Sequence, residues 1–201
     1  MQENDLVARA QAGDHDAFEQ LVALYEKRVY NLALRMSRNV EDALDLAQEI
    51  FIRVYQSLPF FKGQSAFSTW LYSIASNACI DFTRREKRRG GMKTLSLDDE
   101  DNQAALYALP DLRYQPEDEA ARRETREELC RAMEKLSPSH REILTLRELN
   151  ELSYGEIADA LDLTQGTVKS RLCRAREQLC RILTAGGNKS APYTSNQKKR
   201  R

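Results

Sequence analysis

Phe18, Leu21, Val22, Tyr25, Val29, Leu32, Ala33 and Met36 recur at the three-to-four-residue spacing of one helix face, and Asp16 stands where that helix would take its N-cap. A shorter helix over residues 5–12 precedes it and ends at Gly13. Ala43, Leu46, Ala47, Ile50, Val54 and Leu58 form a second stripe, stopped by Pro59. Phe67, Trp70, Leu71, Ile74, Ala78 and Phe82 form a third, entered from a loop that contains Gly63. No alternating strand pattern competes, so residues 1–89 are predicted to be an all-helical bundle.

The periodicity lapses after Gly90 and Gly91. Two prolines, Pro110 and Pro116, and the run Asp98-Asp99-Glu100-Asp101 mark residues 90–121 as a flexible acidic linker between two small domains. Leu129, Ala132, Met133 and Leu136 restart a helix, and Ser137-Pro138 caps and opens the next, which carries Ile143, Leu144 and Leu149. Ser153-Tyr154-Gly155-Glu156 has the form of a capping box. The helix it starts carries Ile157, Ala158 and Leu161; Asp162 and Leu163 turn the chain, and Thr164 caps a last helix with Val168, Leu172, Ala175 and Leu179 inside. Two helices joined by about three residues, the second one basic, are predicted to be a helix-turn-helix within a second domain, residues 122–185. Residues 186–201, ending Lys198-Lys199-Arg200-Arg201, have no apolar stripe and are predicted to be a disordered basic tail.

Composition narrows the classes. With 201 residues, 41% of them hydrophobic, the chain can fill one or two small cores. No apolar run approaches the roughly 20 residues of a membrane span and no signal pattern opens the chain, so a cytoplasmic protein without membrane insertion is expected. Thirty-one basic residues offset 31 acidic ones, but unevenly. Residues 84–89 carry +4 and residues 165–181 carry +4, whereas residues 90–121 carry −6. Cys79, Cys130, Cys173 and Cys180 show no ligand spacing and are read as reduced packing thiols, and His15 and His140 stand far apart. No nucleophile elbow or phosphate-cradling loop is present, so neither an enzyme nor a metal or cofactor is expected.

Three helix faces can carry chemistry. On the last helix Gly166, Ser170, Cys173 and Arg174 project away from the apolar stripe, flanked by Thr167 and Lys169, a small, polar and basic start suited to a DNA groove. On the second stripe's helix Asp45, Gln48, Glu49, Ile52, Tyr55 and Gln56 project outward. An isoleucine and a tyrosine among acids and amides fit either a protein-docking surface or a solvated face. Asp45 and Glu49, four residues apart, could instead hold a metal, but no second acidic pair of that spacing lies nearby. The third helix gathers Phe60, Phe61, Phe67, Trp70 and Tyr72 at its entry and five bases at its end, a combination suited to unpaired bases and phosphates. There Phe67 and Trp70 project inward, Tyr72, Ser76 and Thr83 outward, and Asn77 lies on the flank.

These motifs together resemble the extracytoplasmic-function (group IV) sigma factors of bacterial RNA polymerase. Asp45-Leu46-Ala47-Gln48-Glu49-Ile50-Phe51 resembles sigma region 2.2. Ser65-Ala66-Phe67-Ser68-Thr69-Trp70-Leu71-Tyr72-Ser73-Ile74-Ala75 with Asn77 resembles regions 2.3 and 2.4, and Leu152-Ser153-Tyr154 through Gly166-Thr167-Val168-Lys169-Ser170-Arg171 resembles region 4.2. Asp162 departs from the glycine many helix-turn-helix proteins place in the turn, although aspartate tolerates a left-handed residue.

The resemblance implies that Asp45, Gln48, Glu49, Ile52 and Tyr55 bind the clamp helices of the polymerase's largest subunit, with a further contact to the flap region. It implies that the loop Phe61, Lys62, Gly63, Gln64 and Ser65, with Asn77, holds a base flipped from the melted minus-ten element, and that Tyr72, Ser76, Arg84, Arg85, Lys87 and Arg88 extend that surface. Duplex at the minus-thirty-five element would meet Thr164, Gln165, Thr167, Lys169, Ser170, Arg171, Cys173 and Arg174, with Arg147 and Tyr154 at the margin. The linker would thread toward the RNA exit path, and an anti-sigma factor is an expected partner. Two other functions fit parts of the pattern. A helix-turn-helix regulator would use the amino-terminal bundle as a sensor or dimerisation domain, and an acid-dependent nuclease would use Asp45 and Glu49.

Overall fold

The computed structural model describes residues 3–89 and 119–185, and among these no strand occurs. The amino-terminal group is α1 (Glu3–Gln11), α2 (His15–Ser37), α3 (Val40–Ser57), a 3-10 turn (Leu58–Phe60) and α4 (Phe67–Arg88). The second group is α5 (Glu119–Glu134), α6 (Pro138–Leu144), a π turn (Thr145–Leu149), α7 (Tyr154–Ala160) and α8 (Gln165–Ala185). Most of the linker expected at residues 90–121 and the whole tail at residues 186–201 lie outside the described residues.

Caps fix the helix boundaries. At the end of α1 Gly13 takes φ +93°, a left-handed value that lets the Asp14 amide reach the Arg9 carbonyl and close the helix. The α2 cap is Asp14, whose carboxylate accepts from the Ala17 amide at 3.1 Å, and not Asp16. Either acid suits the position by type, but an N-cap needs extended backbone, and the Gly13 turn puts that conformation at Asp14, two residues earlier. Arg38, at φ 65°, and Asn39, which caps α3 through the Asp42 amide, reverse the chain in two residues, so α2 and α3 pack as an antiparallel pair. Their seam buries Leu21, Val29, Leu32 and Met36 against Ala43, Leu46, Ile50 and Val54, and α4 adds Phe67, Leu71, Ala75 and Ala78. Each such leucine or isoleucine contributes about 1.5–3 kcal/mol of burial.

In the second group the Ser137 cap, with Pro138 at the first helical position, and the Ser153–Glu156 capping box both form as expected. The expected helix through Leu149 does not continue as one: α6 ends at Leu144 and the backbone widens into the π turn. Leu129, placed on the inner stripe, is 40% exposed.

The two groups are not held apart. Helices α6 and α7 pack against α4, and α6 and the π turn against α2, so the buried residues form one continuous cluster. Arg141 joins them. Its guanidinium, 3% exposed, donates to the carbonyls of Met133, Glu134 and Leu136 at the end of α5, and to that of Arg35 in the last turn of α2 at 3.2 Å. One cation thus answers unpaired carbonyls where two helix dipoles present their negative ends.

Candidate nucleic-acid interface

The outer face of α3 keeps Asp45, Gln48, Ile52 and Tyr55 in solvent, with Ile52 50% and Tyr55 41% exposed. The Tyr55 ring is braced edge-on by Phe18 at 4.9 Å, and its hydroxyl lies 3.3 Å from His15 Nδ1. A large amphipathic side chain held in one position at low entropic cost is what a docking surface requires. Glu49 faces differently. Its carboxylate bridges Arg53 on its own helix and Arg85 of α4 at 3.2 Å. Partial burial would raise its pKa, but the hydrogen bonds from Arg85 and Arg53 outweigh that and hold it below the ordinary range. Glu49 and Arg85, expected on two different binding surfaces, tie α3 to α4.

The loop into α4 stands on an aromatic base. Phe61 packs on Phe67 and Trp70 with ring centroids 5.9 and 4.8 Å away, and Gln11 Nε2 donates to the Phe61 carbonyl at 2.7 Å and to that of Leu58 at 3.1 Å. Gly63 turns the loop at φ +68°, where a Cβ would be strained, and leaves Lys62, Gly63 and Gln64 exposed, with Ser65 half-buried. Phe61 is therefore a support of the loop more than part of its surface.

Asn77, Arg84, Lys87 and Arg88 are exposed on α4. Tyr72 and Ser76, expected to project outward, are buried at 0% and 1% exposure. Helices α6 and α7 pack on α4, and Tyr72 lies near both Arg28 of α2 and Glu156 of α7, neighbours that a projection along α4 alone does not include. Burial pushes the Tyr72 phenol up to about 12. Phe60, grouped in the sequence with the aromatics at the entry of α4 but not among the minus-ten residues, is 79% exposed beside this loop, a ready stacking surface.

The α7–α8 pair has the geometry of a helix-turn-helix. Asp162 takes φ 51°, and the Leu163 amide reaches back to the Ala158 carbonyl at 2.8 Å. Thr164 Oγ1 accepts from the Thr167 amide at 3.2 Å. Val168, Leu172 and Ala175 are buried, while Gln165, Gly166, Lys169, Ser170, Cys173 and Arg174 are exposed on the other side, as the projection requires. Two of the expected minus-thirty-five residues also make contacts within the protein. Arg147 donates to the Leu152 carbonyl at 2.7 Å and lies 5.2 Å over the half-buried Tyr154 ring, and the half-buried Arg171 lies near enough to Glu142 to favour that residue's charge. Arg176, not singled out in the sequence, donates twice to Glu148 at 2.6 and 3.2 Å and fixes α8 against the π turn.

The four cysteines are free: Cys79 and Cys130 are buried, as packing thiols, whereas Cys173 and Cys180 are exposed. Among the described residues no cluster of three metal-ligating side chains occurs, and no helix is long and apolar enough to cross a membrane.

Family models of sigma-70 region 2 and sigma-70 region 4 match residues 21–89 and 126–179. The RNA polymerase sigma-H factor of Pseudomonas aeruginosa is 37% identical over 90% of this chain and 94% of its own length. The ECF RNA polymerase sigma-E factor of Escherichia coli is 39% identical over 87% and 90%. Among solved structures, CnrH in complex with the cytosolic domain of CnrY superposes with TM-score 0.66 at 24% identity, covering 91% of this chain and 97% of that one. The sigma factor RpoE in complex with the anti-sigma factor NepR from Bartonella quintana superposes with TM-score 0.63 at 23% identity, covering 83% and 96%.

Proposed function

Because this chain belongs to the extracytoplasmic-function sigma factors of the sigma-70 family, promoter-recognising subunits of RNA polymerase, we propose how its exposed faces divide that work. Asp45, Gln48, Ile52 and Tyr55 of α3 dock on core polymerase. The loop at residues 62–65 with Asn77, and with Phe60 as an added stacking surface, captures the unpaired minus-ten strand. Arg84, Lys87 and Arg88 hold phosphates. Lys169, Ser170, Cys173 and Arg174 of α8 read the minus-thirty-five duplex. The observation that carries this reading is the capped α8, whose basic outward side chains are exposed while its apolar stripe is buried.

Residues 1–89 form the region 2 domain and residues 122–185 the region 4 domain, with residues 90–121 linking them and residues 186–201 as a basic tail. The chain catalyses no reaction of its own and works in the cytoplasm, beside its polymerase. An anti-sigma factor is a partner in keeping with the company that the structural relatives keep. A stand-alone helix-turn-helix regulator is not favoured, since it has no use for the region 2 domain that the chain carries.

Reconstitution with bacterial core polymerase tests the division. Added protein should direct new transcript starts, and Asp45→Arg should weaken association with core while the thermal melt stays unchanged, because Asp45 stands in solvent off the packed stripe. Undiminished co-purification of Asp45→Arg with core would remove α3 as the docking face.

A further inference from the structure

The loop at residues 62–65 has few local ties. Ala66 stands at the N-cap of α4 and supplies no side-chain hydrogen bond, and the Ser57 side chain supplies none at the start of the 3-10 turn. Nothing lies within 4 Å of where a Cβ on Gly63 would stand. What the loop lacks locally it receives from α1. Gln11 Nε2 donates to the Phe61 carbonyl at 2.7 Å and to the Leu58 carbonyl at 3.1 Å, one at each end of the 3-10 turn, so both amide protons are engaged. The Leu58 carbonyl also accepts from the Phe61 amide at 3.1 Å, which closes the turn on itself.

Gln11 can serve as a fixed point because α1 is tied at both ends. The Tyr25 hydroxyl donates to Glu3 at 2.6 Å at one end, and Arg9 pairs with Asp14 at 2.6 Å at the other. Between them Leu6, Val7 and Ala10 are buried, with α1 packed on α2. Tyr25 also meets Phe67 edge-on at 5.7 Å, so α1 reaches the aromatic base of the loop by a second route. Gln11 itself precedes residues 21–89, the span of the region 2 family model. A loop already held in its binding conformation does not lose that freedom when a base enters, and the difference appears as affinity. Released from Gln11, it could carry Phe61 off the Trp70 ring, whose centroid stands 4.8 Å away.

We propose that Gln11 is a positioning residue for minus-ten capture: its amide holds the 3-10 turn so that the loop at residues 62–65 stands preformed for an unpaired base. The proposal rests on the reading of that loop as the base-binding site. Gln11 acts through the Leu58 and Phe61 carbonyls, so its effect falls on the melted strand and not on the minus-thirty-five duplex or on core polymerase.

Gln11→Met and Gln11→Glu keep the side chain's length and the helix-forming tendency of α1 but remove the donor, and the glutamate also sets a carboxylate against two carbonyls. The probe is a pre-melted minus-ten template, made from a promoter that the wild type directs and bound by holoenzyme reconstituted with core polymerase. Gln11→Met should weaken that binding about five-fold or more, the worth of one or two hydrogen bonds, and Gln11→Glu should weaken it further. Association with core, and binding to duplex that carries the minus-thirty-five element alone, should not change. In the free protein both variants should shift the emission of the single tryptophan, Trp70, to the red as Phe61 leaves its ring. Asn77→Ala on the same template separates the proposal from the reading beneath it. If Asn77→Ala weakens binding and both Gln11 variants bind as the wild type does, the positioning role is overturned and the loop reading stands. If neither site matters, both fall. A Gln11→Met chain that loses core association or minus-thirty-five binding in equal measure has a general defect of folding, which overturns the proposal as well.

Discussion

Arg141 and Glu142 are neighbours in the sequence, and both are buried, yet they differ in what meets them. The guanidinium finds four carbonyls, so burial lowers its pKa only to about 10 and it stays charged at neutral pH. Arg141→Ala strands those carbonyls, three of them at the end of α5, and should cost about 3–5 kcal/mol in urea unfolding, with Arg141→Lys recovering only part because an ammonium has three donors and no fork. A loss below about 1 kcal/mol would show that water replaces the guanidinium. Glu142 is the reverse case. Burial pushes its carboxyl up to about 7 from 4.5, against the opposing pull of the Ser76 hydroxyl and Arg171. A carboxyl whose pKa is raised on folding binds more protons folded than unfolded, so its contribution to stability is full below about 4.5 and is lost as pH rises through 7, by at most about 3 kcal/mol. Urea unfolding across that range should show the wild type losing stability relative to Glu142→Gln as pH rises; a constant difference between the two would assign the dependence to other groups.

At the scale of elements, the stripes, the capping box, the Thr164 cap and the turn at Asp162 were legible because each rests on contacts within a few residues. What was not legible came from longer range. Tyr72 and Ser76 were expected in solvent and are buried, because nothing within α4 says that α6 and α7 will pack on it. Glu49 and Arg85 lie 36 residues apart and meet only because α3 and α4 pack together. Arg147 donates to the Leu152 carbonyl and lies over the Tyr154 ring, contacts made across a π turn that no periodicity announces. Among the basic residues this sorting gives contrasting expectations. Arg174 projects from a capped helix and should read a base, so Arg174→Ala should lose about 1–3 kcal/mol and relax one position of the upstream element. Arg88→Ala, from the basic end of α4, should weaken all sequences alike and flatten the salt dependence. A binding-site selection with each variant decides it, and an unaltered upstream consensus for Arg174→Ala would take that residue off the reading face.

For the whole molecule the decisive quantity is reach. The described residues pack as one body through the Arg141 clasp at the end of α2 and through α6 and α7 against α4, whereas work at a two-part promoter requires the same parts to stand tens of ångströms apart. Only the 30 residue steps from Arg89 to Glu119 can supply that distance. Deleting residues 95–114 leaves about ten steps, a contour near 35 Å, too short to join two domains seated on elements roughly 85 Å apart even after the domains' own radii are counted. With core polymerase, the deletion should abolish transcription that depends on both elements. It should spare binding to a pre-melted minus-ten template, which needs region 2 alone. Replacing the same 20 residues with a glycine-serine segment of equal length should restore two-element transcription, because it restores contour without restoring the acidic sequence. Full two-element transcription from the deletion would refute the reach argument, and failure of the equal-length replacement would show that the acidic segment acts through its charge as well as its length.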